Sequence, residues 1–107
     1  MPEIYDPTAD NFRQCDTDQT VAQIGRMNLM SISGFRVIRR PTGVTLPVSS
    51  GYSVTVDLDG NDTYVVRRMF KRGAKVWIKG EQSDVYAEDV GEVAYRASCY
   101  RNGPWPS

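Results

Sequence analysis

From Tyr52 to Leu58 the chain alternates without a break, with Tyr52, Val54, Val56 and Leu58 on one side and Ser53, Thr55 and Asp57 on the other. A period of two is the mark of a strand with one face buried. Asp59-Gly60-Asn61-Asp62 then supplies turn chemistry, because Gly60 and Asn61 tolerate positive φ. The next strand, Thr63–Lys71, sets Tyr64, Val66, Arg68 and Phe70 against Val65, Arg67, Met69 and Lys71. Arg72-Gly73 turns the chain again. Lys75–Lys79 places Val76 and Ile78 on one side, and Lys75, Trp77 and Lys79 on the other. Residues 51–80 therefore read as three consecutive antiparallel strands, and the other elements are organised around them.

Elsewhere the pattern is weaker. Residues 1–15 carry Pro2, Pro7 and scattered acids without periodicity, which predicts a flexible N-terminal arm anchored at most by Ile4, Tyr5 and Phe12. Asp16 or Asp18 caps a first helix whose apolar face is Val21, Ile24 and Met27. Gly25 costs that helix about 1 kcal/mol relative to Ala, so it is expected to stop between Gly25 and Met27. Leu29–Ser33 reads as a strand meeting Gly34, and Phe35–Arg40 as a second strand ended by Pro41. Val44–Val48 contains Pro47, which has no N–H for a ladder, and so belongs at an edge or in a loop. Tyr86, Val90, Val93, Ala97 and Tyr100 fall on one helical face, with Ser83 or Asp84 as cap, acids early, and Arg96 and Arg101 late. A rival strand reading of Val93, Tyr95, Ala97 and Cys99 fits the alanines and the charge order less well. Asn102-Gly103-Pro104 ends the helix, leaving residues 102–107 as a frayed tail in which Trp105 is a candidate anchor. The expected fold is α+β: an antiparallel sheet of four to six strands, with a short N-terminal helix and a C-terminal helix packed on one face, in a single domain spanning 16–101.

A chain of 107 residues supports one hydrophobic core and needs no metal or disulfide to fold. Its 13 basic and 13 acidic residues cancel, which removes the simplest argument for nucleic-acid binding, a strongly basic domain. The charge is nevertheless segregated. Residues 67–79 carry Arg67, Arg68, Lys71, Arg72, Lys75 and Lys79 with no acid, while residues 81–92 carry Glu81, Asp84, Glu88, Asp89 and Glu92 with no base. Such runs are ordinarily solvated edges; the sharper reading is a basic patch for an acidic partner.

The absent chemistry matters as much. With no histidine the chain lacks the commonest general base and most zinc and haem sites. The glycines form neither a P-loop nor a dinucleotide fingerprint. Cys15 and Cys99 are isolated, and with no signal peptide visible they are expected as reduced thiols, although a bridge between the two helices is geometrically conceivable. Asp57, Asp59 and Asn61 match the first three ligand positions of a calcium loop, but Asp62 replaces its glycine and Arg68 its bidentate glutamate. Glu88 and Glu92 lie one helical turn apart and read as solvated charges. The expectation is a non-enzyme without cofactor, metal or membrane span.

One feature rises above this background. Trp77 lies between Lys75 and Lys79, and if Val76 and Ile78 face the core it faces outward with them. Alternation then adds Arg67, Met69 and Lys71 from the neighbouring strand, with Arg72 at the turn. An aromatic among cations on an open sheet face suits a protein partner or a second copy, because Trp, Met and Arg are enriched in interfaces. It also suits a nucleic acid, by stacking and phosphate contact. If the helix or the arm covers the face, Trp77 and Met69 are simply core.

The runs Thr20-Val-Ala-Gln-Ile-Gly, Asn28-Leu-Met, Tyr52-Ser-Val-Thr-Val, Asp62-Thr-Tyr-Val-Val, Gly73-Ala-Lys-Val and Asp84-Val-Tyr-Ala-Glu-Asp-Val resemble small proteins of unassigned function from bacteriophages and related mobile elements. Gly91-Glu-Val-Ala-Tyr-Arg-Ala-Ser-Cys99 makes actinobacterial phages the closer likeness, over roughly residues 20–100. The resemblance implies a cytoplasmic protein made in an infected bacterial cell, and carries no functional residue to transfer. Small phage proteins often bind a host protein, which favours protein binding, to a host protein or to itself as a homodimer. An accessory nucleic-acid binder and a structural or assembly component are the alternatives.

Overall fold

The computed structural model describes residues 3–6, 8, 10–99 and 105–106. Its elements are β1 (Glu3–Ile4), α1 (Thr17–Ile24), α2 (Arg26–Ser33), β2 (Ile38–Arg40), β3 (Gly43–Pro47), β4 (Tyr52–Leu58), β5 (Tyr64–Arg72), β6 (Lys75–Val85) and α3 (Val90–Ser98). The strands form one antiparallel sheet in the order β1-β6-β5-β4-β3-β2. The three helices lie on one face of it, as the α+β reading expects, and the core forms between them. Val54 and Val56 of β4, Tyr64 and Val66 of β5, and Val44 and Leu46 of β3 meet Ile24, Leu29, Ile32, Val90, Ala94 and Ala97 from the helices.

Asp16 caps α1 by accepting hydrogen bonds from the backbone N–H groups of Asp18 and Gln19, and Gly25, at φ +90°, ends it. The strand expected over Leu29–Ser33 is instead α2. Leu29 and Ile32, three residues apart, point into the core while Met27 and Met30 stay exposed. Gly34 adopts the left-handed conformation, and the N–H groups of Gly34 and Phe35 bond to the carbonyls of Met30 and Leu29. This is the Schellman closure of a helix, so the glycine that followed the apolar run marked a helix end.

The C-terminal helix also starts later than its spacing suggests. β6 continues through Val85, and a turn, with Asp89 N–H on the Tyr86 carbonyl, precedes α3 at Val90. Tyr86 is consequently 61% exposed, whereas Val90, Ala94 and Ala97 are buried and Val93 packs beside them. Tyr100, Arg101 and the Asn102–Pro104 stop lie outside the described residues. Trp105 does anchor: it joins the core at 9% exposure, above Gly80, where a Cβ would stand 2.2 Å from the Trp105 carbonyl oxygen. Arg68, buried beside it, donates through Nε to the Ala97 carbonyl and lies 5.8 Å from the Trp105 ring centre.

The described residues of the arm are docked on the opposite face of the sheet. β1 pairs with β6, Tyr5 N–H bonds to the Val76 carbonyl, Arg13 N–H to Leu58 and Cys15 N–H to Pro41. Tyr5 and Phe12 stack near the Arg67 guanidinium, at 5.8 and 5.0 Å, so these two anchors hold while Ile4 stays exposed.

Candidate binding surface

The β5–β6 hairpin determines which side chains share a face. Its two central residues are Gly73 and Ala74, and Gly73 takes φ +62°, the positive angle that a tight hairpin turn requires at its first position. A two-residue turn pairs Arg72 with Lys75, hence Lys71 with Val76 and Phe70 with Trp77. Trp77 therefore lies on the same side of the sheet as Phe70 and Tyr52, not with Met69 and Lys71. Val76 and Ile78 face the arm side rather than the helix-packed core.

The seven residues singled out in the sequence accordingly divide. Arg67, Met69 and Lys71 lie on the arm-covered face. Met69 is buried, and Arg67 is bound to Asp10 and Glu81 at 3.0 and 2.7 Å. Trp77, Lys75, Lys79 and Arg72 gather on the other face, toward the end of the sheet that carries the β5–β6 hairpin. There Tyr52, Phe70 and Trp77 form a row across β4, β5 and β6, with ring centres 4.8 and 5.9 Å apart. Each ring is half-buried. Lys79 is the extra residue of a bulge opposite Arg68 and Met69, and its Nζ reaches back to 5.7 Å from the Phe70 ring centre. Lys71, Arg72 and Lys75 are exposed around the hairpin tip, and Arg36 adjoins them beside Ile38 and Ser53. None of these five cations is in an ion pair among the described residues.

Beneath the arm, away from Lys71 at the hairpin tip, the charges are matched. Asp57, its side chain 3% exposed, accepts two hydrogen bonds from Arg40 at 2.8 and 3.2 Å and one from Thr42. That commitment leaves Asp57 unsuited to a calcium loop. Among the described residues no group of three or more acids or cysteines could hold a metal ion. Tyr5 donates to Asp10 at 2.7 Å. Burial, then that hydrogen bond and the neighbouring carboxylate charges, raise its pKa to about 12. Burial opposes the charge on Arg67, yet the hydrogen bonds it donates to Asp10 and Glu81 outweigh burial and hold the pKa above the usual value. A cavity of about 230 Å³ remains between Tyr5, Arg40, Thr55, Met69 and Val76. Thr55 Oγ1, buried there, has no hydrogen-bond partner among the described residues.

Cys15 and Cys99 are both free and half-buried. Cys15 Sγ sits 2.9 Å from Thr20 Oγ1, and Cys99 Sγ contacts the Tyr95 carbonyl. Glu88 precedes α3, and Glu92 pairs with Arg96 one turn on; both acids are exposed. Among the described residues no helix is long and apolar enough to cross a membrane. Comparison with protein-family models, with curated proteins and with solved structures finds no match.

Alternation along β6 singles out Trp77 but not the two rings beside it. The signal was present: counting outward from the two-residue turn at Gly73-Ala74 pairs Trp77 with Phe70. Tyr52 then follows one strand further.

Proposed function

We propose that this chain is a non-enzymatic binding protein whose partner is an acidic protein surface, and that it acts in the cytoplasm of an infected bacterial cell. The observation that carries the reading is the half-buried row Tyr52–Phe70–Trp77 with Arg72, Lys75 and Lys79 on its own face, Lys71 on the reverse of the hairpin and Arg36 beside Ser53, five cations without carboxylate partners among the described residues. Aromatic rings flanked by cations combine a desolvated anchor with charged surroundings, the usual make-up of an interface hot spot. Unneutralised cations at such a rim steer an acidic surface toward it. Zero net charge favours a protein over nucleic acid, since nonspecific affinity for nucleic acid rests on surplus cations. The likeness to phage proteins supports the setting.

An affinity pull-down from bacterial host lysate, comparing the wild type with Trp77→Ala, tests this. Trp77 stands at the end of the sheet, outside the helix-packed core, so the variant should keep its circular dichroism and lose the captured protein. A folded Trp77→Ala variant with an unchanged set of partners overturns the site. Capture of a single-stranded oligonucleotide that weakens steeply with salt, with no acidic protein bound, would replace the proposed partner by nucleic acid.

A further inference from the structure

Charge is divided between the two ends of the strands. The basic end carries Arg36, Lys71, Arg72, Lys75 and Lys79. The other end gathers the β4–β5 turn and the β6–α3 turn, with Asp59, Asp84, Glu88 and Asp89. The two turns are held side by side by Tyr64 opposite Val85 and by Asn61 donating to Asp84. These four acids have no cationic partner among the described residues. Asp18 and Asp62 at the same end are answered by Arg39 and Arg13. Asp6, which flanks the basic end through the arm, is tied to Thr8. Tyr86 stands exposed among the four acids.

β6 runs from one charged end to the other, Lys75 to Val85, in a molecule whose longest dimension is 31 Å. Exposed charges so far apart are screened from one another at ordinary ionic strength, where the Debye length is about 8 Å. The two ends of one molecule therefore cannot satisfy each other, whereas the ends of two molecules can.

Resting on the reading of the aromatic–cationic end as a binding surface, we infer that its partner is a second copy of this chain, docked head to tail. Tyr86 with Asp84, Glu88 and Asp89 of one molecule meets Trp77 with Arg72, Lys75 and Lys79 of the next. Because the two surfaces differ, the contact leaves one free end of each kind and the association continues as an open chain rather than closing as a dimer.

Sedimentation velocity tests this with two variants changed at exposed positions: Lys75→Gln/Lys79→Gln, which spoils the basic end, and Glu88→Gln/Asp89→Asn, which spoils the acidic end. The wild type should show mass rising with concentration past the dimer, and its association should weaken about tenfold on adding roughly 0.5 M salt, which shortens the screening length to a few ångström. Each variant alone should be monomeric. Their equimolar mixture should form a one-to-one complex and stop there, since only one acidic and one basic end remain intact. Circular dichroism checks that both variants are folded. A wild type that stays monomeric at low salt and high protein concentration overturns the inference, as does one that stops at a dimer while the mixed variants fail to pair. A monomeric wild type that still captures another acidic protein through Trp77 would refute self-association alone and leave the binding reading standing.

Discussion

Asp57 shows how much a single side chain can organise away from the main core. It lies on β4 facing the arm, and the guanidinium of Arg40 reaches across from β2 to bind it in two places while Thr42 adds a third hydrogen bond. Arg40 also donates to Thr45 Oγ1 and to the Val44 carbonyl, so one ion pair fastens β2, β3 and β4 together. Removing one partner of such a pair strands the other without its counter-charge. Asp57→Ala is expected to lose about 3 kcal/mol of unfolding free energy in urea denaturation, at the lower end for a buried pair because Arg40 keeps some solvent contact. Alternation assigned Asp57 to the polar face of its strand, and that was legible. Its burial was not, because Arg40 lies two strands away and only the tertiary register brings it near.

At the scale of elements, the arm and the short helices show where local pattern stops being informative. The arm has no period of its own, since its order comes from what it touches: Val76, Leu58 and Pro41 through the backbone, and Arg67 through Tyr5, Asp10 and Phe12. Tyr5 gives this docking a pH signature. Its folded pKa, near 12, is above the ordinary tyrosine value of 10.0, so the docked arm holds the phenol proton more tightly than the free chain does. The stabilisation is complete below pH 10 and is lost as pH rises toward 12. Alkaline titration followed by tyrosinate absorbance should show a late component missing from Tyr5→Phe, and amide exchange in β1 should accelerate over the same window. The two central strands of the meander were legible because both their faces repeat over long runs. α2 was misread because eight residues offer only two buried apolar positions, Leu29 and Ile32, too few to tell a helix from a strand. Gly34 held the missing information, as the residue able to take the left-handed conformation at a helix end.

On the scale of the molecule, the layered α+β arrangement was legible because a one-sided sheet and two amphipathic segments have few ways to bury their apolar faces. The division of the candidate site between two faces was not, because it depends on how β6 is paired rather than on its composition. Lys79 carries the last consequence of that pairing. The partners beside it are Ile78 opposite Met69 and Gly80 opposite Arg68, so Lys79 falls between them and opposes neither. Deleting this one residue should therefore leave every other pairing intact: Trp77 on Phe70, Glu81 on Arg67, and Gly80 beneath Trp105. Deleting Ile78 instead would seat Lys79 opposite Met69 on the arm-covered face, and deleting Gly80 would seat it beneath Trp105, where a side chain has no room. A chain shortened at Lys79 should melt cooperatively with a near-native amide spectrum, while one shortened at Gly80 should melt at a lower temperature because Lys79 then displaces Trp105. The sheet has no need of Lys79, and the cation it sets over Phe70 is what the inserted residue adds.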